Sequence, residues 1–198
     1  MGRWEPNARE RLAGAALELY AEHGFDKTTV AEIAQRAGLT ERTFFRHFAD
    51  KREVLFGGQE DFNRAFVAGV AAAPAGAAPL DAVAVALAAA PTVLPETRRP
   101  HARARALVIA RDPALREREL IKLASLSSVI AAALRERGVA EPAASLTAEA
   151  GVAVFKVAFA RWVAEPDPAD TGDIADLAGL LRDALAELRA VMAGGTSG

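Results

Sequence analysis

Cysteine is absent from these 198 residues, so neither a disulfide framework nor thiol chemistry is available. The three histidines, at 23, 47 and 101, are too scattered for a metal-ligand spacing. No glycine-rich loop is shaped to cradle phosphate, and no serine sits in a nucleophile elbow. Asp167, Asp170, Asp173 and Asp176 lie close together, but acids favoured at a helix start explain them better than calcium does. These absences exclude an enzyme: no catalytic residue, no metal site and no cofactor are expected. Aromatics make up only 6% of the chain and β-branched runs are few. No stretch alternates as a strand should, so the class is all-α. The opening MGRWEPNARER carries charges where a signal peptide has its apolar core. The apolar run 66–94 is broken by Pro74, Pro79 and Pro91, with Pro95 just beyond, and makes a poor membrane span. A soluble, cytoplasmic protein with no membrane partner is the expectation.

What is present is concentrated in residues 28–52, TTVAEIAQRAGLTERTFFRHFADKR. Thr29 caps a short helix and Glu32, three residues on, completes a capping box. Val30, Ile33, Ala34 and Ala37 give that helix one apolar face. Gly38 stands where the chain reverses, and Thr40 caps a second helix. Leu39, Phe44 and Phe48 face inward, leaving Glu41, Arg42, Thr43, Phe45, Arg46 and His47 as a mostly polar outer set. From Arg36 to Arg52 five basic side chains stand against two acidic ones, although the whole chain is at −2. Helix, tight turn, helix at this spacing is a helix-turn-helix, whose second helix enters the DNA major groove.

The run GLTERTFFRHFADKREVL, preceded by TTVAEIAQRA and a longer helix, resembles the DNA-binding domain of the TetR (tetracycline repressor) family over residues 7–56. The resemblance implies a dimeric regulator of double-stranded DNA. It places Glu41, Arg42, Thr43 and Arg46 over base edges or adjoining phosphates. Thr28, Thr29, His47 and Lys51 would hold phosphates, and Thr40 belongs to the same DNA-binding set. Amides at helix starts near 29 and 51 favour anions. The family usually has tyrosine where this chain has Phe45, so a hydroxyl contact is missing. Phe45 either touches a thymine methyl or simply packs.

Before this motif, Asn7 and Glu10 open a first helix with Leu12, Ala16, Leu19 and Tyr20 inward, and Phe25 plugs a core shared with Ile33 and Phe44. After it, a fourth helix is expected over 50–69, carrying Leu55, Phe62 and Phe66 and weakened at Gly57-Gly58. Further helices are expected over 80–90, 97–111, 112–138, 145–164 and 172–193, about nine in all. The domains are then 1–50 for DNA binding, 51–193 for effector binding and dimerisation, and 194–198 as a disordered tail.

The helix over 145–164 is apolar almost all round, and 172–193 carries Ile174, Leu177, Leu181 and Leu188 as a stripe. Pairing both with a second copy makes a four-helix seam, the TetR-like homodimer. Residues 80–165 supply more apolar surface than a stalk needs. By family resemblance that region encloses an unknown small-molecule effector, and Phe62, Phe66, Phe155, Phe159 and Trp162 are the candidate wall. The function so read is a repressor that leaves its palindromic operator on binding an apolar or amphipathic molecule. The alternative is a dimeric DNA-binding protein with no effector. The basic cluster 98–122 either meets an anionic head group or is solvated or paired with Glu18 and Glu22.

Overall fold

The computed structural model describes residues 7–164 and 176–194. Ile174, three of the four clustered aspartates (167, 170 and 173) and the tail from 195 lie outside the described residues. Nine α-helices and two 3-10 turns occur among the described residues, with no strand, which makes the chain all-α. They fall into two compact units: Met1–Gly57 with His101–Leu120, and Gly58–Pro100 with Ile121–Gly198.

The first unit begins with α1 (Ala8–His23), started by the Asn7/Glu10 capping box and stopped at Gly24. Leu12, Ala16, Leu19 and Tyr20 bury its inner face. It packs on α2 (Val30–Arg36) and α3 (Glu41–His47) around Phe25, Ile33, Phe44 and Phe48. A division at residue 50 would cut this core, because Val54, Leu55 and Phe56 of the turn Glu53–Phe56 are buried in it, as are Val108, Ile109 and Leu115. Two arginines brace that turn. Arg105 donates to the Leu55 carbonyl at 2.6 Å and to Glu119 at 3.1 Å, with its guanidinium 5.0 Å from the Phe56 ring centre. Arg118 pairs with Glu53. Part of the basic cluster is thus spent on internal bracing. Its expected partners Glu18 and Glu22 pair instead with Arg36, at 3.3 and 3.0 Å.

The helix expected over 50–69 is not one helix. A 3-10 turn ends at Phe56, Gly58 adopts φ 87° and ψ 2°, and α4 (Gln59–Ala72) starts afresh. Left-handed backbone at a glycine breaks the helical ladder without a Cβ penalty.

The second unit packs α4 on α5 (Pro79–Val93), α5 on α8 (Ala143–Ala164) and α9 (Leu177–Met192) on both α5 and α8. Pro79 starts α5 at its first turn, where no amide hydrogen is needed, and the helix runs through Pro91 to Val93, past the expected end at 90. A Cβ on Gly69 would sit 2.4 Å from the Ala86 Cα, and one on Gly151 would sit 2.4 Å from Val83 Cγ1. Glycine is what lets α5 press against both neighbours. Helices α6 (Arg99–Arg111) and α7 (Pro113–Glu136) contribute residues to both units. α8 is long and apolar enough to cross a membrane by length and composition, yet Ala148, Val152, Phe155 and Trp162 on it are buried core residues.

Candidate nucleic-acid interface

The local geometry of α2, turn and α3 is fixed at each joint. The Thr29 hydroxyl accepts from the Glu32 amide at 3.2 Å, while Glu32 accepts from the Thr29 amide at 2.7 Å. At the other end of α2, Leu39 donates to the Ala34 carbonyl and Gly38 to the Gln35 carbonyl, a paired C-terminal lock around Gly38 at φ 63°. Arg11 reaches from α1 to the Ala37 carbonyl at 2.5 Å, a brace invisible in the sequence because the partners are 26 residues apart. Thr40 then caps α3, accepting from the Thr43 amide at 3.2 Å.

On α3, Phe44 is fully buried and Phe48 nearly so, with their rings 5.5 Å apart; Leu39 is half-buried. These anchors turn Glu41, Arg42, Phe45 and Arg46 outward, all four exposed, with Thr43 and His47 half-buried at the flanks. Among the described residues neither the Arg42 nor the Arg46 guanidinium meets a carboxylate. Two unpaired cations on one face of a rigidly capped helix can bond guanine edges or phosphates without first breaking an internal contact.

Two of the expected phosphate holders, Thr28 and Lys51, are committed elsewhere, and a third, His47, is turned inward. Thr28 is buried and its hydroxyl donates to the Gly24 carbonyl at 2.9 Å, closing the loop after α1. Lys51 places its ammonium on the carbonyls of Phe25, Asp26 and Thr28 at 2.9, 3.2 and 3.0 Å, and 4.4 Å from the Phe25 ring centre. Its own carbonyl accepts from the Tyr20 hydroxyl at 2.5 Å. Lys51 is therefore a strut between the loop and the end of the motif. No α-helix starts near 51, which removes the helix-end argument there. His47 has its Nε2 buried and without a hydrogen-bond partner, turned away from solvent. Thr29 remains exposed, but Glu32 already occupies both its amide and its hydroxyl.

These contacts set the local ionisation. The Thr29 amide and hydroxyl hold Glu32 below the usual carboxylate range. For Asp50, desolvation pushes its pKa up, but the Arg52 guanidinium and the amides of Glu53 and Arg52 outweigh it, so the net shift is downward. Burial, followed by the charge of Asp50, pushes the Tyr20 phenol well up.

In the second unit the five candidate wall residues come together as one track. Phe62 touches Phe66 at 4.8 Å and Phe155 at 5.2 Å between ring centres; Phe155 stacks on Phe159 at 5.6 Å, and Phe159 meets Trp162 at 5.7 Å. The track ends at a polar knot. The Trp162 indole donates to Glu96 at 2.8 Å, and buried Arg99 donates to Glu96 and to the Trp162 carbonyl, each at 2.8 Å. The expected dimer seam needs correction. Leu177 and Leu181 are 2% and 3% exposed because the protomer's own core covers them, so they have almost no surface left for a partner. Leu188 is half-buried. The apolar residues left outward on α8 are Leu146 and Val157, at 67% and 55% exposure, with Ala153 and Ala160 at the same helical spacing.

Residues 12–56 match the family model for bacterial regulatory proteins of the tetR family, and residues 77–193 match that for the MftR C-terminal domain. The chain belongs to the TetR family. The family is made up of transcriptional regulators, and neither match is to a catalytic family. A curated TetR-family relative, the HTH-type transcriptional regulator TcmR of Streptomyces glaucescens, is 43% identical over 75 residues, 38% of this chain and 33% of that protein. The chain spans a third or less of the length of the curated relatives it matches. Among solved structures, Thermus thermophilus FadR, a TetR-family repressor in complex with lauroyl-CoA, is 26% identical with a TM-score of 0.50, covering 93% of this chain and 94% of that one. SmeT in complex with triclosan shares the fold at a TM-score of 0.62 and 19% identity, covering 94% of this chain and 91% of the other; SmeT is the repressor of a Stenotrophomonas maltophilia multidrug efflux pump.

Proposed function

We infer that this TetR-family chain is a transcriptional repressor that binds a roughly palindromic operator as a homodimer and is released by a small apolar or amphipathic molecule. The observation that carries the DNA-binding part is the outward face of α3, where Arg42 and Arg46 stand exposed and, among the described residues, without acidic partners. The contact set is Glu41, Arg42, Phe45 and Arg46 on that face, with Thr43 and Thr29 at its edges. Thr28 and Lys51 support it from within, and His47 acts by packing. Selecting bound duplexes from a random-sequence pool with the full chain tests the reading. A recovered consensus with twofold symmetry supports it, whereas retention of all sequences alike would sink it.

The effector part is supported by the aromatic track from Phe62 to Trp162 and by the lauroyl-CoA found in T. thermophilus FadR. Release requires that the ligand prefer the DNA-incompetent state. A hundredfold loss of operator affinity needs about 2.7 kcal/mol of such preference. One observation favours the second reading, dimerisation without an effector: the rings already fill each other's surfaces, at 4.8 to 6.0 Å between centres. Titrating lauroyl-CoA and free laurate against the protein–operator complex, alongside Phe155→Trp, separates the two. Loss of DNA binding that Phe155→Trp abolishes favours the effector reading, and indifference to a broad panel of amphiphiles leaves the second.

A further inference from the structure

Phe45 is the one large apolar side chain on the outward face of α3, 56% exposed between Arg42 and Arg46. Exposure alone means little, since Leu107 and Leu120 in the same unit are as open. Three further facts single it out. It shares a face with the exposed guanidinium groups of Arg42 and Arg46, with Arg42 three residues before it, one helical turn away. It is held in place: the buried Phe44 ring meets it edge-on, with centres 5.4 Å apart and planes at 81°. It carries no hydroxyl, so it cannot bond a phosphate or a base edge. A residue so placed still adds the most if it meets an apolar group on the duplex. The major groove presents only one such group, the 5-methyl of thymine.

Resting on the DNA-binding reading above, we propose that Phe45 is a specificity-determining residue that reads a thymine methyl beside the base contacted by Arg42. The ring gains more by covering a methyl than by meeting the bare C5–H of cytosine or a purine edge at that place. An exposed, edge-braced phenyl loses little freedom on binding, so the contact costs little order. Its position on α3 also explains why a bulky apolar side chain is tolerated on a solvent face: the duplex is what covers it.

The test uses the duplex that the full chain selects from a random pool, with each thymine replaced singly by deoxyuridine. That change deletes one methyl and keeps every hydrogen-bonding group. Wild-type protein is expected to lose about fourfold in affinity at one thymine per half-site, the value for one buried methyl(ene). Phe45→Ala is expected to bind the parent duplex more weakly and to show no further loss at that deoxyuridine, the coupling that a direct contact produces. Phe45→Leu keeps an apolar side chain and should retain part of the effect, which guards against a folding defect in the alanine variant. A wild-type scan that is flat at every thymine overturns the assignment, and so does an equal penalty in wild type and both variants, or a selected site with no thymine in the half-site. Failure to select any sequence would instead remove the DNA-binding reading itself.

Discussion

Lys51 and Arg42 are both cations of the helix-turn-helix, yet the first is turned inward onto backbone carbonyls and the second is exposed. The Lys51 ammonium is surrounded by three carbonyls and an aromatic face, so removing it leaves acceptors unpaired within the fold. Lys51→Met should destabilise the first unit by about 1–3 kcal/mol and weaken operator binding. The dependence of log affinity on log salt should keep its slope, because no phosphate charge was neutralised. A slope shallower by about 0.9 per protomer, about 1.8 for a dimer, would show a phosphate contact instead. Arg42→Ala should leave the melting behaviour unchanged, cost about 1–3 kcal/mol of operator affinity and relax one base preference. A panel of operator mutants read against both variants separates the strut from the reader.

At the scale of elements, close approach and capping carry the stability. Gly69 meets the backbone of Ala86, which cannot swing aside as a side chain can. Gly69→Ala must push α4 off α5 and should cost about 1–3 kcal/mol, read as a lower denaturant midpoint with the slope unchanged. Gly151→Ala meets Cγ1 of Val83, a fully buried β-branched side chain that is stiff at χ1 within a helix, so it should destabilise as well. The caps predict an acid response. Glu32 and Asp50 both have carboxyls held lower in the fold than in the unfolded chain. Their stabilisation is therefore complete above the ordinary carboxylate pKa of about 4 and is lost as pH falls through the depressed folded values. Thermal midpoints of the full chain should be level from pH 7 to 5 and drop towards pH 3. Thr29→Ala, which removes the hydroxyl that Glu32 bonds, should lower the plateau and shrink the drop. A drop of the same size in that variant would place the acid sensitivity elsewhere.

For the whole molecule the question is what covers the outer face of α8. Leu146, Ala153, Val157 and Ala160 recur at helical spacing on its exposed side, a stripe suited to a twofold helix pairing. Val157→Glu should yield folded monomers in sedimentation, with helical content intact and operator affinity reduced. Leu181→Glu should behave differently and unfold the protomer, since that side chain is core. An unchanged dimer in the first variant would move the seam away from this face.

Much of this was legible in the residues, and the reasons are local. Caps at Asn7, Thr29 and Thr40, the reversal at Gly38 and the inward Phe44 and Phe48 depend on neighbours within one or two turns, so their pattern is written in order along the chain. The same pattern determined the all-α class and which face of α3 points out. What the sequence could not decide are contacts between residues far apart in it. Lys51 carries the same charge whether it meets a phosphate or three carbonyls some 25 residues away, and only folding chooses. Leu181 fits a dimer seam and a protomer core equally well as a pattern, because a hydrophobic stripe states that a face is covered and not by what. The tertiary structure decided both, by filling those sites from within the chain before any partner could reach them.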